Sequence, residues 1–207
     1  STEWGGHSIY HALQVNLVQR PIKGLSYQIA YTWQKSIDAG SSVFSEGGES
    51  ANSSGAAWAF DDKIQRGVSD FNLTHNLVLN YSYDIPMPAA VKSNSFANTV
   101  LGGWAIGGIY TRQSGGPYSV KIGVDRAFTG NSNLGGSLNS AARPMFVLNS
   151  TCTSPAAAVT GVIGKYLNLS CFAFPEAGQS GNLGRNNLTM PTFRNLDFSL
   201  FKNQNLM

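Results

Sequence analysis

Charged side chains are scarce in this sequence. Lys and Arg number 14 and Asp and Glu number 11 among 207 residues, so charged residues make up 12% of the chain, whereas a soluble domain carries about 25%. The mean hydropathy is nevertheless close to zero, because Gly, Ser, Asn, Thr and Gln supply the polarity. Such a mixture suits strands that present one face to lipid and the other to a watery lumen.

Long apolar runs and basic runs are also missing. No stretch approaches the ~20 consecutive apolar residues of a membrane-spanning helix, and residues 1–10 lack the charged start and apolar run of a signal peptide. The net charge of +3 is spread along the chain, which argues against nucleic acid as a partner. The chain is therefore either soluble or crosses a membrane as β-strands.

Cysteine occurs only twice, at Cys152 and Cys171. Both residues lie in a region rich in Gly, Ser and Asn between predicted strands. This placement predicts a loop disulfide in an oxidising compartment, and the alternative is two unrelated thiols.

The strongest pattern that is present has a period of two. From Leu25 to Trp33, and again from Phe71 to Ile85, odd positions are mostly apolar or aromatic and even positions are mostly polar. Soluble strands average about five or six residues, whereas a tilted membrane-crossing strand needs about 9 to 11. With shorter alternations elsewhere, the pattern predicts five long strands, near residues 8–20, 24–36, 70–85, 103–114 and 192–203.

The connections between these strands alternate in length. Residues 38–69 and 115–191 form two long connections, and the others are shorter, as expected for extracellular loops and periplasmic turns of an outer-membrane barrel. The predicted fold is all-β, an antiparallel up-and-down meander of long strands forming an incomplete segment of a transmembrane β-barrel. The predicted location is the bacterial outer membrane, with its lipid as a partner.

Two groups of side chains are singled out by their predicted positions. Aromatic residues at the strand ends predict an interfacial girdle, formed by Tyr31, Trp33 and Phe71 at the outer boundary and by Tyr81, Tyr83 and Trp104 at the inner one. Polar residues predicted to face the lumen are candidates for substrate contact, namely Gln28, Asn72, Asn76 and Asn80. The alternative for this second group is simple hydration of the lumen.

Catalytic and metal-binding patterns are weak. His7 and His11 have a spacing that holds metal only on a helix, and this segment is predicted as strand. Asp61 and Asp62 are read as solvated or ion-paired loop acids. No Ser, His and Asp arrangement is recognisable, so we expect no enzyme, no metal site and no cofactor.

Several phrases occur in an order that resembles the barrel of Oar-like TonB-dependent transporters. They begin with Tyr10-His-Ala-Leu-Gln-Val, Gly24-Leu-Ser-Tyr, Ala30-Tyr-Thr-Trp-Gln-Lys-Ser-Ile-Asp and Arg66-Gly-Val-Ser-Asp-Phe-Asn-Leu-Thr-His. They continue with Leu101-Gly-Gly-Trp, Ser114-Gly-Gly-Pro, Gly181-Asn-Leu-Gly-Arg-Asn and Asn195-Leu-Asp-Phe-Ser-Leu-Phe-Lys. The resemblance spans nearly the whole chain and identifies it as a fragment from the C-terminal part of such a barrel.

The resemblance implies energised uptake of a substrate from outside the cell, in which TonB acts on a plug domain. This sequence contains no plug, no TonB-contacting segment and no terminal aromatic of the kind that ends such barrels, since it stops at Asn205-Leu206-Met207. Barrels of this class have about 22 strands, so five strands do not close alone. The implied partners are therefore the rest of the barrel and plug, TonB through the full-length protein, and an unidentified substrate.

Two other interpretations remain open on the sequence. One is a soluble or surface-exposed β-sandwich that binds carbohydrate or mediates adhesion through loop aromatics such as Trp58 and Phe60. The other is a smaller, complete porin-like barrel.

Overall fold

Five long strands dominate the fold. The structure, a computed structural model, describes residues 7–39, 41, 66–88, 95–124, 126–128 and 142–203. The long strands are β1 (Ser8–Ile22), β2 (Leu25–Asp38), β4 (His75–Asp84), β5 (Trp104–Gln113) and β10 (Phe193–Lys202). The short strands are β3 (Gly67–Val68), β6 (Pro117–Tyr118), β7 (Met145–Phe146), β8 (Phe172–Ala173) and β9 (Leu188–Thr189).

The long strands form one sheet in the order β1-β2-β4-β5-β10, with β3 paired to the end of β2. Each long strand lies beside the next long strand in sequence, and the registers of β2 with β4, β4 with β5 and β5 with β10 are antiparallel. Within the described residues the sheet does not close, since β1 and β10 are its edges. The prediction of an all-β antiparallel meander forming part of a barrel is confirmed.

The turn between β1 and β2 has two residues, Lys23 and Gly24, both with positive φ (52° and 85°). Positive φ at both positions defines a type I′ turn, whose twist matches that of paired antiparallel strands. A Cβ at Gly24 would lie 2.7 Å from the Asp84 carbonyl oxygen. Glycine therefore allows both the backbone conformation and the close approach of β4.

A short helix, α1 (Ser95–Leu101), lies in the connection between β4 and β5. Its last carbonyls have side-chain partners: Lys202 Nζ donates to Thr99 and Val100 oxygens at 2.7 and 2.8 Å, and Trp104 Nε1 donates to Val100 at 3.1 Å. A cation at a helix C-terminus is also favoured by the helix dipole. No helix among the described residues is long and apolar enough to span a bilayer.

The chain forms two compact units. The sheet unit comprises Ala12–Trp33, Thr74–Ser114 and Thr192–Met207, and the loop unit comprises Ser1–His11, Gln34–Leu73 and Gly115–Pro191. In the sheet unit, Ala105 is the one described hydrophobic residue that is buried. The sheet unit therefore has almost no internal core of its own.

The packed core lies in the loop unit, around a disulfide between Cys152 and Cys171, the two cysteines singled out from the sequence. These cysteines, Ala158 and Leu188 are buried together, and Phe146 and Phe172 on the paired strands β7 and β8 pack against them. Bridging two residues 19 positions apart restricts the unfolded chain, an effect of about 3 kcal/mol for loops of this size. The disulfide thus stabilises a unit with few regular strands.

One predicted strand boundary needs correction. The strand predicted to begin near residue 70 begins at His75, because residues 66–74 form β3 and a turn. Phe71 and Asn72 therefore lie in that turn and not in β4. Most of the predicted loop 38–69 lies outside the described residues, as do Trp58, Phe60, Asp61 and Asp62.

Candidate functional site

The two faces of the sheet follow from the registers. Tyr27 lies opposite Tyr81, which lies opposite Gly108, which lies opposite Phe198. Because strand side chains alternate, one face carries the odd residues of β2 and β4 and the even residues of β5 and β10. We call it the apolar face. The other is the polar face.

The apolar face is exposed at its sides, on β10 and at both ends of β2, and mostly half-buried in the middle, on β4 and β5. Its large hydrophobic side chains include Leu25, Leu196, Phe198 and Leu200, of which Leu196 and Phe198 are each 62% exposed. Contiguous exposed apolar surface is unusual on soluble monomers and marks an interaction site. An exposed apolar face on a sheet of long strands is expected of a barrel wall in contact with lipid.

Aromatic side chains lie towards both ends of the apolar face. At the end of the sheet away from the Lys23–Gly24 turn, here called the loop end, Trp33 lies opposite His75 and Tyr31 lies opposite Leu77. The Tyr31 hydroxyl and His75 Nδ1 are 2.8 Å apart. Towards the other end, here called the turn end, lie Tyr81, Tyr83 and Trp104.

The structure therefore places five of the six predicted girdle residues on one face of the sheet. Phe71 is the exception, since it lies in the turn before β4 and is 63% exposed. That these rings contact the membrane interface stays a prediction.

Amide and hydroxyl side chains form rows across the polar face. One row runs from Thr32 through Asn76 to Gln113, and another row, two rows nearer the Lys23–Gly24 turn, contains Gln28 and Asn80. Gln28 and Asn80 are exposed, and Gln28 Nε2 donates to Asn16 Oδ1 on β1 at 3.2 Å. The sequence-predicted residues Gln28, Asn76 and Asn80 are thus brought together on one surface.

Asn76 differs from its neighbours in this surface. Its Oδ1 is buried and has no hydrogen-bond partner within the described residues. An unsatisfied buried acceptor is unfavourable unless water or a ligand donates to it. The side-chain oxygen of Asn76 therefore needs a hydrogen-bond donor that the described residues do not supply.

Asn72, the fourth predicted substrate contact, lies elsewhere. It is 3% exposed, and its Oδ1 accepts the Ser36 backbone N–H at 2.8 Å. Because its carbonyl oxygen holds the backbone of β2, Asn72 stabilises the loop unit. The alternation of the sequence did not distinguish this turn position from a strand position.

A buried polar cluster in the loop unit was missed by sequence reasoning. Arg185, 1% exposed, forms an ion pair with Asp38 and donates to the Asp38 backbone oxygen at 2.9 Å. The adjacent Asn186 donates through Nδ2 to the Val68 oxygen at 2.6 Å and also to Asp70. Arg185 and Asn186 thus hold the end of β2, β3 and the turn after β3 to the Gly181–Asn186 segment. We call these contacts the anchor cluster.

The electrostatics of the anchor cluster favour a charged Asp38. Burial by itself raises the pKa of Asp38, but hydrogen bonds from Ser69, Arg185 and Ser41 and the charge of Arg185 outweigh it, so the pKa lies below its ordinary value of 3.8. Burial and the nearby Arg185 lower the pKa of Arg143. The carboxylate of Asp38 is therefore the charge that compensates the buried guanidinium of Arg185.

A shallow groove of about 480 Å³ crosses the other part of the loop unit. It is lined chiefly by apolar and aromatic side chains, among them Tyr118, Tyr166, Leu167, Leu169 and Met190. Tyr166 donates its hydroxyl to the Thr189 oxygen at 2.7 Å. The Tyr118 hydroxyl is buried without a partner among the described residues, and burial, followed by the proximity of Tyr166, raises the pKa of Tyr118 to about 12. The groove offers ring faces to a ligand.

No group of three or more His, Cys, Asp or Glu side chains placed to hold a metal ion occurs in the described part of the chain. His7 is not part of a long strand, whereas His11 lies in β1.

The anchor cluster gives a test of the loop unit. Asp38→Asn leaves the buried Arg185 unpaired, so we expect the free energy of unfolding of this unit to fall by about 3–5 kcal/mol. Because the folded pKa of Asp38 lies below 3.8, its stabilisation is present above that value and is lost as the pH falls through the folded pKa. The protection factors of the described residues within 115–191 should therefore fall in the wild type below about pH 4, and this step should be missing in Asp38→Asn.

The matched control is Asp197→Asn, which removes an exposed carboxylate on β10. It should leave exchange in residues 115–191 unchanged at every pH. Equal protection of this segment in wild type and Asp38→Asn at pH 7 would contradict the anchoring role.

Comparison with known proteins assigns the chain to a protein family. A family model described as an outer membrane beta barrel domain matches residues 1–207. No curated protein and no solved structure matches. The match agrees with the strand geometry, since a paired sheet with one apolar and one polar face is the construction of such a wall. The prediction of an outer-membrane location is confirmed, and the chain belongs to the outer membrane beta barrel domain family.

Proposed function

We propose that this chain is part of a TonB-dependent transporter that takes up a substrate from outside the cell. The observation that carries the proposal is a wall with an amide-lined polar face, Gln28, Asn76 and Asn80 included, behind an apolar face. The ordered phrases that resemble Oar-like transporters, including Gly181-Asn-Leu-Gly-Arg-Asn, support the energised form of uptake. In this proposal the chain supplies barrel wall and extracellular loops, and TonB acts through the full-length protein.

The orientation follows from connection length. Long loops are extracellular in outer-membrane barrels and short turns are periplasmic, which puts the strand ends that lead into residues 115–191 outside the cell and the Lys23–Gly24 turn inside. The groove along Tyr118 and Tyr166 is then the surface for first contact with substrate. Its ring faces and single buried hydroxyl are compatible with sugars, peptides or aromatic chelates.

The role of the polar face is to exchange hydrogen bonds with a passing substrate. Uncharged amides both donate and accept, and each net hydrogen bond is worth only about 1 kcal/mol. A surface of this kind binds cargo briefly without holding it. Asn76 has a buried Oδ1 that lacks a donor within the described residues, and it is the residue at which we propose that cargo, directly or through water, supplies the missing hydrogen bond.

Uptake by cells tests the transport function. Source cells with and without the gene should be given isotope-labelled ferric siderophores, oligosaccharides and oligopeptides, and the accumulated label measured. We expect accumulation of at least one class to be lost on deletion, restored by the wild-type gene, and abolished when TonB is removed. Accumulation that persists without TonB would indicate a passive pore, and unchanged accumulation of all three classes would contradict uptake of these substrates.

A single substitution tests the polar face. Asn76→Ala removes one hydrogen-bonding group, so we expect the uptake rate of the identified substrate to fall about fivefold, corresponding to about 1 kcal/mol. Gln19→Ala is the matched control, because Gln19 is an amide on the edge strand β1, outside the rows that contain Asn76 and Asn80, and its Nε2 donates to the adjacent Arg20 oxygen. Equal rates for the two variants, at equal surface abundance, would limit Asn76 to hydrating the lumen.

A further inference from the structure

Two arginines lie side by side at the loop end of the apolar face. Arg112 on β5 is directly opposite Arg194 on β10, and both are exposed. Their parity puts them on the same face as Tyr110 and Leu196, the next directly opposed pair on that face. Like charges directly opposite each other destabilise a sheet, and charge on a lipid-facing surface adds to that cost unless it lies near the interface.

The protein itself offers these arginines no counter-charge in the part of the chain that the structure describes. The strand residues on the apolar face from β2 to β10 include no Asp or Glu. The two strand carboxylates nearest in register, Asp84 and Asp197, have the parity of the polar face. The carboxylate of Asp38 is paired with Arg185 in the loop unit.

A cavity of about 370 Å³ lies beside Arg112. It is lined by Tyr31, His75, Leu77, Arg112, Ser114 and Thr192. Arg112 and the hydroxyl-bearing Ser114 and Thr192 therefore line one cavity, and Arg194 lies beside it as the register neighbour of Arg112.

Three polar groups of this cavity have defined hydrogen-bond partners. Ser114 Oγ accepts the His75 backbone N–H at 3.1 Å, which leaves the hydroxyl hydrogen free to donate. His75 Nδ1 is engaged with the Tyr31 hydroxyl, and this contact positions both rings at the rim. Arginine pairs with phosphate oxygens through two parallel N–H groups. The set matches an oxyanion with several acceptors.

The surface that continues from the cavity is apolar. Leu79, Tyr110 and Leu196 occupy the next row of the same face, followed by Tyr81 and Phe198. A ligand whose charged group sits between the arginines therefore meets hydrocarbon-compatible side chains next to it. That combination selects an amphipathic anion over a soluble one.

We propose that Arg112 and Arg194, with the hydroxyls of Ser114 and Thr192, bind a phosphate of a membrane lipid whose acyl chains lie along the apolar face. With the loop end outside, the lipid is the phosphorylated glucosamine lipid of the outer leaflet, lipid A. This choice of leaflet rests on the orientation given with the proposed function. Two guanidinium groups balance the charge of one phosphate monoester, and they anchor the wall at a fixed depth.

Lipid titration tests this site. The protein, purified from outer membranes in a non-ionic detergent and delipidated, should be titrated in native mass spectrometry with diphosphorylated lipid A, with the same lipid after phosphatase treatment, and with inorganic phosphate. We expect Arg112→Gln with Arg194→Gln to weaken binding of diphosphorylated lipid A at least tenfold. The matched control, Arg20→Gln with Lys23→Asn, removes two positive charges near the turn end and should change binding less than twofold.

Each outcome decides the proposal. Tenfold or greater weakening in the arginine variant alone, together with weak binding of the dephosphorylated lipid, supports a lipid-phosphate site. Equal affinity of the arginine variant and the control variant for lipid A overturns the proposal. Equal affinity of the protein for the phosphorylated and the dephosphorylated lipid also overturns it. Binding of inorganic phosphate as tight as that of lipid A also overturns it and identifies a soluble anion instead. Both variants should first show the heat-modifiable migration of a folded barrel, and substrate uptake by the cells reports on the transport function separately.

Discussion

A backbone that crosses hydrocarbon has to pair every N–H and C=O with another part of the protein, because no water is present to replace a missing partner. In this chain the pairing is continuous from β2 through β4 and β5 to β10. Once those registers are set, the side chains have no freedom to choose a face. The apolar face, the amide rows and the position of each aromatic ring all follow from strand pairing.

The same constraint explains where hydrophobic packing is found. A sheet that uses one face for lipid and the other for a polar lumen has little left to bury, and Ala105 is its one buried hydrophobic residue among those described. The loop unit stabilises itself as a small soluble domain does. It uses a disulfide, a small apolar cluster with Leu188, and the buried Arg185–Asp38 pair.

Most of the strand positions that could be predicted from the sequence were predicted from short-range patterns. The alternation from Leu25 to Trp33 sufficed for β2, because period two is a local property. It failed between Phe71 and Thr74, where Asn72 accepts a hydrogen bond from Ser36 and the chain turns before β4. Helix α1 was also missed, since its seven residues carry too little periodicity and its last carbonyls are satisfied by Lys202, about 100 residues away.

The anchor cluster shows why sites that depend on distant contacts resist prediction. Arg185 lies in a glycine- and asparagine-rich segment that the sequence indicates as a turn, and nothing local identifies Asp38, 147 residues earlier, as its partner. The available signal was the presence of a charged residue, Arg185, in a loop segment of a chain that has few charges. The opposed Arg112 and Arg194 are similar, because they become neighbours only when β5 and β10 are paired.

The alternation of environments along β4 is the most direct measurement of this account. A nitroxide label placed at each position from residue 75 to 84 of the membrane-reconstituted protein, with the native disulfide intact, reports collisions with oxygen in lipid and with a water-soluble nickel chelate. The account predicts that odd positions such as Leu77 and Leu79 favour oxygen and that even positions such as Asn76 and Asn80 favour the chelate. Uniform accessibility along β4, or the opposite phase, would contradict it.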